Sequence, residues 1–284
     1  MSPHPFRFGL VAATAPHGQS WADQARRAES LGYAAIQVPD TLGTLASFPA
    51  LAAAAAVTST LRVGNYVLAV PNHRPAEVAH QALTLDILSG GRFDLGLGAG
   101  RPDAGREAEQ LGVPFGSPGE RIDRLSATIE AVRARYADPA GPLQPVQKPH
   151  PPLMIAANGG RMLRLAAAEA DIVALGLPIE SGVDVLAAKA AELRQHAGER
   201  ADRIELALSL FVIGDGTPPW LAGTIGADPA RLHQLDAATA VRGTPAQMAE
   251  VLRRRRDQTG VSYLQINAIF MEEFAPVVQL LAGT

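Results

Sequence analysis

Two glycine clusters and three titratable side chains are the residues of this chain best placed to do chemistry. Gly98-Ala99-Gly100 ends a short apolar stretch, and Asn158-Gly159-Gly160-Arg161 ends another and opens a helical pattern. Glycine lets backbone approach a ligand with no Cβ in the way. A helix amino end presents unpaired N–H groups and positive dipole, so the second cluster suits a phosphate. His17, Asp40 and His73 each follow a segment that reads as a strand. Imidazole titrates near neutral pH, so His17 and His73 are candidates for proton transfer. Asp40 is read either as an acceptor for a ligand or as a cap on the next turn. Arg101 and Arg106 suit an anionic group, or pair with Glu107 or Glu109 in the same loop.

Several function classes are excluded. The 284 residues contain no cysteine, which removes disulfides, thiolate catalysis and Cys-ligated metal. No His-x-His, His-Glu-x-x-His or clustered carboxylate pattern occurs, so no metal site is expected. Ser59, Ser117 and Ser209 lack a nucleophile-elbow context. With 25 basic and 28 acidic residues the formal charge is −3, which argues against a nucleic-acid partner. The run Arg253–Arg256 falls late in a helical pattern and reads as a solvated face. The alanine-rich run from Leu51 to Val57 is far too short to span a bilayer. The first residues lack the features of a signal peptide. A cytoplasmic protein acting on a small molecule is expected, with a homodimer left open.

The elements that must position these residues alternate. Strands are expected at Phe6–Val11, Tyr33–Val38, Leu61–Val70, Phe93–Leu97, Leu153–Ala156, Ile172–Leu175, Ile204–Ile213 and Tyr263–Ala268. Helices are expected between them, with Ser20 and Ser47 as amino-terminal caps of the first two. Pro118–Tyr136 carries apolar Ile122, Leu125, Ile129 and Val132 at helical spacing. Residues 137–152 hold six prolines and read as an extended connector. Residues 214–241 form a long insertion with Pro218-Pro219-Trp220 and a short helix near Pro229–Leu235. Eight strands with eight crossovers predict a single α/β domain over 1–284, a (β/α)8 TIM barrel, with an open doubly wound sheet as the alternative. A barrel gathers His17, Asp40, 66–73, 99–106 and 158–161 on the face where its strands end.

At this point the residues resemble the bacterial luciferase-like superfamily of flavin- and deazaflavin-dependent oxidoreductases. The matching text is Val38-Pro39-Asp40, the block from Ala79 through Thr84-Leu85-Asp86-Ile87-Leu88-Ser89-Gly90-Gly91-Arg92-Phe93, and Gly96 to Gly100. It continues with Gly112-Val113-Pro114-Phe115, Gly119-Glu120-Arg121, Lys148 to Pro152 and Arg242-Gly243-Thr244-Pro245. Within the superfamily the chain is more similar to the coenzyme F420 branch than to the FMN monooxygenases.

The resemblance implies a luciferase-like barrel and a hydride-transferring oxidoreductase that uses coenzyme F420. An FMN-dependent monooxygenase and a non-catalytic cofactor-binding relative are the alternatives. By the resemblance Asp40 would lie near the polar edge of the ring. A non-proline cis peptide would fall at Tyr66-Val67, with Val67, Leu68 and Ala69 against the ring. Ala99, Gly100 and Arg101 would meet the ribityl chain or ring edge, and Asn158, Gly159, Gly160 and Arg161 would hold the phosphate. Thr41 stands where many deazaflavin relatives carry a proton-transferring histidine. That leaves His17 and His73, with Asp40, as the candidate catalytic residues.

Overall fold

The computed structural model describes residues 4–218, 221 and 228–284. Pro219 and Trp220 of the expected Pro-Pro-Trp stretch lie outside them. The chain packs as two compact units.

One unit comprises residues 1–11, 28–34 and 157–284. Its strands β1 (Arg7–Val11), β7 (Ile172–Leu175), β8 (Glu205–Leu210) and β11 (Val261–Asn267) pair in the order β1–β11–β8–β7, all parallel. β7 is a continuous apolar run, the pattern of a parallel strand covered on both faces, while β8 and β11 carry polar Ser209, Ser262 and Gln265 among their apolar residues. Phe8 and Phe274 meet edge to face at 5.8 Å in the core. Arg7 pairs with Glu205 at 2.9 Å and stacks on Tyr263. The expected seventh strand is two, β8 and β9 (Val212–Ile213). The second pairs with β10 (Ala240–Val241) inside the insertion, whose short helix spans Pro229–Gln234.

The arginine run corrects the sequence reading. Only Arg254 is fully solvated. Arg255 is buried and donates to the carbonyls of Ala237, Ala238 and Ala240 and to Asp236 Oδ1. Burial pulls its guanidinium below the ordinary value, and Asp236 opposes that shift. Arg256 lies over Phe6 and donates to Thr284 O. A run of like charges on one helix points in four directions, so its composition did not reveal which member faced inward.

The other unit comprises residues 12–27 and 35–156. Here β2 (Ala35–Val38), β3 (Arg62–Asn65), β5 (Phe93–Gly98) and β6 (Leu153–Ala157) pair in sequence order, all parallel. The expected third strand is broken. β3 stops at Asn65, a cis Tyr66-Val67 peptide follows, and β4 (Leu68–Ala69) pairs with β5 before a 3-10 turn at Val70–Asn72. A short helix, α4 (Gly105–Gln110), occupies the loop after β5 and had no sequence signal. Two expected caps are different. Helix α1 (Gly18–Ser30) is capped by His17, whose Nδ1 accepts from Ser20 N at 3.2 Å. Helix α2 (Ser47–Ala56) has no side-chain cap, because Ser47 Oγ accepts from the buried Asn65 at 3.0 Å.

At the amino ends of these strands the block Thr84–Phe93 is a structural knot. Helix α3 (Pro75–Leu88) ends in Gly90 and Gly91, both left-handed. Asp86 is fully buried, and its carboxylate accepts from Val146 N, Gln147 N and Gln147 Nε2 at 2.9–3.1 Å. Those bonds moor the proline-rich connector. Arg62 donates to Asp94, Gly91 O, Phe93 O and Gln147, and Arg92 to Ala55 O and Leu61 O.

Candidate active site

The carboxyl ends of β2, β4 and β5 carry the candidate site. Pro39 ends β2, since it lacks the N–H a ladder needs. The turn that follows is held by Thr44, whose single hydroxyl proton is shared between Thr41 O at 2.9 Å and Pro39 O at 3.1 Å. Asp40 therefore does not cap it. Instead its Oδ2 lies 2.9 Å from Ala69 N and 2.8 Å from His73 Nε2. One carboxylate oxygen thus joins the end of β2 to β4 and to the residue after the 3-10 turn. The side chains of Asp40 and His73 are 17% and 23% exposed, so both are reachable from outside.

The glycines of β5 explain how β4 reaches that position. A Cβ on Gly96 would collide with the Asn65 carbonyl. One on Gly98 would sit 2.8 Å from Val67 Cγ2. These two glycines make room for the chain around the cis peptide rather than for a ligand. Gly100 is left-handed, and its Cβ would press on Pro71 and Phe115 at 3.2–3.3 Å. Helix α5 (Pro118–Ala137) fixes the same loops from outside. Arg121 Nε donates to Ala99 O and Arg124 Nη1 to Pro71 O, each at 3.0 Å. Arg121 also lies 4.3 Å from the centre of the Phe115 ring. The helix starts in a capping box of Ser117 and Glu120, worth about 1 kcal/mol. The Ser117 N–H holds the Glu120 carboxyl below its ordinary value.

Of the expected site residues, Asp40, Tyr66, Val67, Leu68, Ala69, His73, Ala99 and Gly100 belong to this one assembly of strand ends and loops. Arg101 is exposed and paired with Glu107 at 3.1 Å. In water such a pair contributes about 0–1 kcal/mol, so it is easily exchanged for another anion. His17 is exposed, with its ring turned to Ser20 at the start of α1. Arg121 and Arg124 were not recognised as loop anchors, and the Gly119-Glu120-Arg121 match was the only signal that could have found one of them.

Asn158, Gly159, Gly160 and Arg161 lie in the other unit, where β6 passes into helix α6 (Gly160–Glu169). Gly160 is left-handed at φ 53°, and nothing lies within 4 Å of a Cβ built on it. Among the described residues no side chain caps the helix. Lys189 Nζ donates to Asn158 O at 2.8 Å and would stand 3.4 Å from a Cβ on Gly159. An uncapped helix amino end, a bare glycine turn and an adjacent ammonium fit a phosphate. Lys189 lies 31 residues from Asn158, and no sequence spacing marked it. Among the described residues no group of three or more His, Cys, Asp or Glu could hold a metal, and no helix is long and apolar enough to cross a membrane.

Comparison with known proteins assigns the class. The family model for luciferase-like monooxygenases matches residues 4–218. An uncharacterized protein of Mycobacterium tuberculosis is 30% identical over 212 residues, covering 62% of this chain and 71% of that protein. The coenzyme F420-dependent tetrahydromethanopterin reductase of Methanopyrus kandleri superposes with a TM-score of 0.74 at 17% identity, over 98% of this chain and 97% of its own. A riboflavin lyase solved with modified FMN and riboflavin superposes at 0.78 with 17% identity, over 98% and 92%. The chain belongs to the luciferase-like monooxygenase family, and its fold is the α/β (β/α)8 TIM barrel of that family. Oxidoreductases using either cofactor type occur among its structural neighbours.

Proposed function

We propose that this protein is a coenzyme F420-dependent oxidoreductase, built as one barrel domain, that moves a hydride between the deazaflavin and a small organic substrate. The observation that carries this reading is the paired Asp40 and His73 beside Ala69, at the carboxyl ends of β2 and β4. Hydride transfer to or from a polar bond requires a proton to move as well, and an imidazole held at that edge can hold it. Bound deazaflavin would supply the hydride-carrying carbon; the protein binds, orients and excludes water. Val67 and Ala69, both partly exposed, would give the ring its apolar support, with Leu68 fully buried behind them, and Ala99 and Gly100 would border it. The Asn158–Arg161 turn, with Lys189, would suit a phosphate.

An FMN-dependent monooxygenase is the second reading, favoured by a structural neighbour that is a Baeyer-Villiger monooxygenase in complex with FMN. Titration of the purified protein with coenzyme F420 and with FMN, followed by fluorescence, separates the two. At least about tenfold tighter binding of F420, ~1.4 kcal/mol, is expected. Equal affinities, or FMN retained on purification, overturn the reading. Gly160→Asp puts a carboxylate at the phosphate turn and is expected to abolish binding while the fold persists.

A further inference from the structure

His73 Nε2 is tied to a carboxylate oxygen that has a second donor. Ala69 N–H can only donate, so Asp40 Oδ2 accepts from it at 2.9 Å. A carboxylate oxygen only accepts, so the imidazole nitrogen 2.8 Å away must donate as well. Neutral imidazole has one N–H, and Nδ1 is then left with its lone pair. The backbone of His73 is held at the end of the 3-10 turn, where its N–H donates to Val70 O. Among the described residues Nδ1 has no hydrogen-bond partner, and the side chain is part exposed.

We propose that Asp40 is a positioning residue that fixes His73 as the Nε2–H tautomer, making Nδ1 the atom that takes and returns the proton. This differs from the role the resemblance implied, in which Asp40 meets the ring directly. The use of Nδ1 rests on the oxidoreductase reading above; the tautomer does not. In the oxidative direction a substrate O–H or N–H bond breaks and its proton goes to Nδ1. The electron pair of that bond stays with the substrate, as a hydride leaves the neighbouring carbon for the deazaflavin. The resulting imidazolium faces the Asp40 carboxylate, and the reductive direction runs the same steps backwards.

The test is a long-range 1H–15N spectrum of the 15N-labelled protein without cofactor, with His73 assigned by the His73→Gln variant. Glutamine at 73 retains an N–H donor for Asp40 and so preserves the loop. The expected spectrum has His73 in the Nε2–H form by at least about tenfold, with an Nε2–H proton protected from exchange. Asp40→Ala is expected to release that proton and mix the tautomers, while Asp40→Asn, which keeps an acceptor oxygen, retains the Nε2–H form. A neutral His73 ring whose one proton sits on Nδ1 in the unmodified protein overturns the proposal whether or not any variant folds, and so does an unchanged spectrum in folded Asp40→Ala. In turnover, Asp40→Ala should lower kcat at least about tenfold with KM within threefold, and should have little further effect on His73→Gln. Additive losses overturn the relay. Failure to bind either cofactor would refute the oxidoreductase reading and leave the tautomer result standing.

Discussion

The two ends of the same strands in the unit of residues 12–27 and 35–156 are built on opposite principles. At the amino ends, Asp86 is wholly buried and both its oxygens are engaged by three N–H groups of Val146 and Gln147. Arg62 and Arg92 close the neighbouring turns on backbone carbonyls. At the carboxyl ends, Asp40 and His73 are part exposed and both of Asp40's bonds fall on one oxygen. At one end Asp86 and the turn carbonyls are engaged inside the fold, although Asp94 Oδ2 has no partner among the described residues, and at the other end Asp40 and His73 are left within reach of a ligand. The most recognisable text of the chain, Thr84–Phe93, belongs to the buried end. Sequence distinctiveness there reflects a demanding structural knot, because a buried carboxylate tolerates no loss of partners.

That contrast can be broken by substitution. Asp86→Ala leaves three donors without their acceptor at a fully buried position. It should cost on the order of 4 kcal/mol, read as a fall in the denaturant midpoint, with cofactor affinity of the folded fraction unchanged. Affinity loss larger than the stability loss would mean the amino end is functional after all. His73→Gln, which keeps a donor for Asp40, is expected to do the reverse. It should lower turnover by at least about 10²-fold, ~2.7 kcal/mol, with cofactor affinity and stability little changed. Near-normal turnover in this variant would remove histidine from the proton path.

Gly98→Ala sharpens the comparison, since it strikes the packing that serves the open end. Its methyl would enter the space of Val67 Cγ2. A stability loss of about 1–3 kcal/mol is expected, together with weaker cofactor binding. Unchanged binding would show that the position of Val67 does not matter to the site. The smallest effect is expected from His17→Ala. Loss of the cap on α1 should cost about 1 kcal/mol and leave turnover within a few-fold. A large turnover loss there would return His17 to the chemistry.

Much of the architecture was legible because it rests on local rules. The strand Ile172–Leu175 and the helix Val183–Ala197 lie where periodicity and composition put them. Pro118 and Ser117 opened α5, and Gly90-Gly91 closed α3 with left-handed backbone. The cis peptide lies at Tyr66-Val67, the place implied by the resemblance. Boundaries and caps failed where a distant partner outbid the local one. Ser47 was drawn to Asn65, eighteen residues on, and the strand expected through Val70 broke at Asn65. The buried Arg255 and the loop anchor Arg124 carried no local signal either.

The sequence by itself determined the alternation of strand and helix, the family, and which residue types could do chemistry. These follow from short-range sterics, hydrophobic period and turn preferences, each readable within a few residues. Only the tertiary structure decided which polar side chains meet. It paired Asp40 with His73 across 33 residues, turned His17 into a helix cap, assigned Gly96 and Gly98 to packing, and brought Lys189 to the Asn158 carbonyl. Side-chain partners depend on the packing of whole elements. That packing sums many weak contacts between residues far apart in the chain, and no local pattern encodes it.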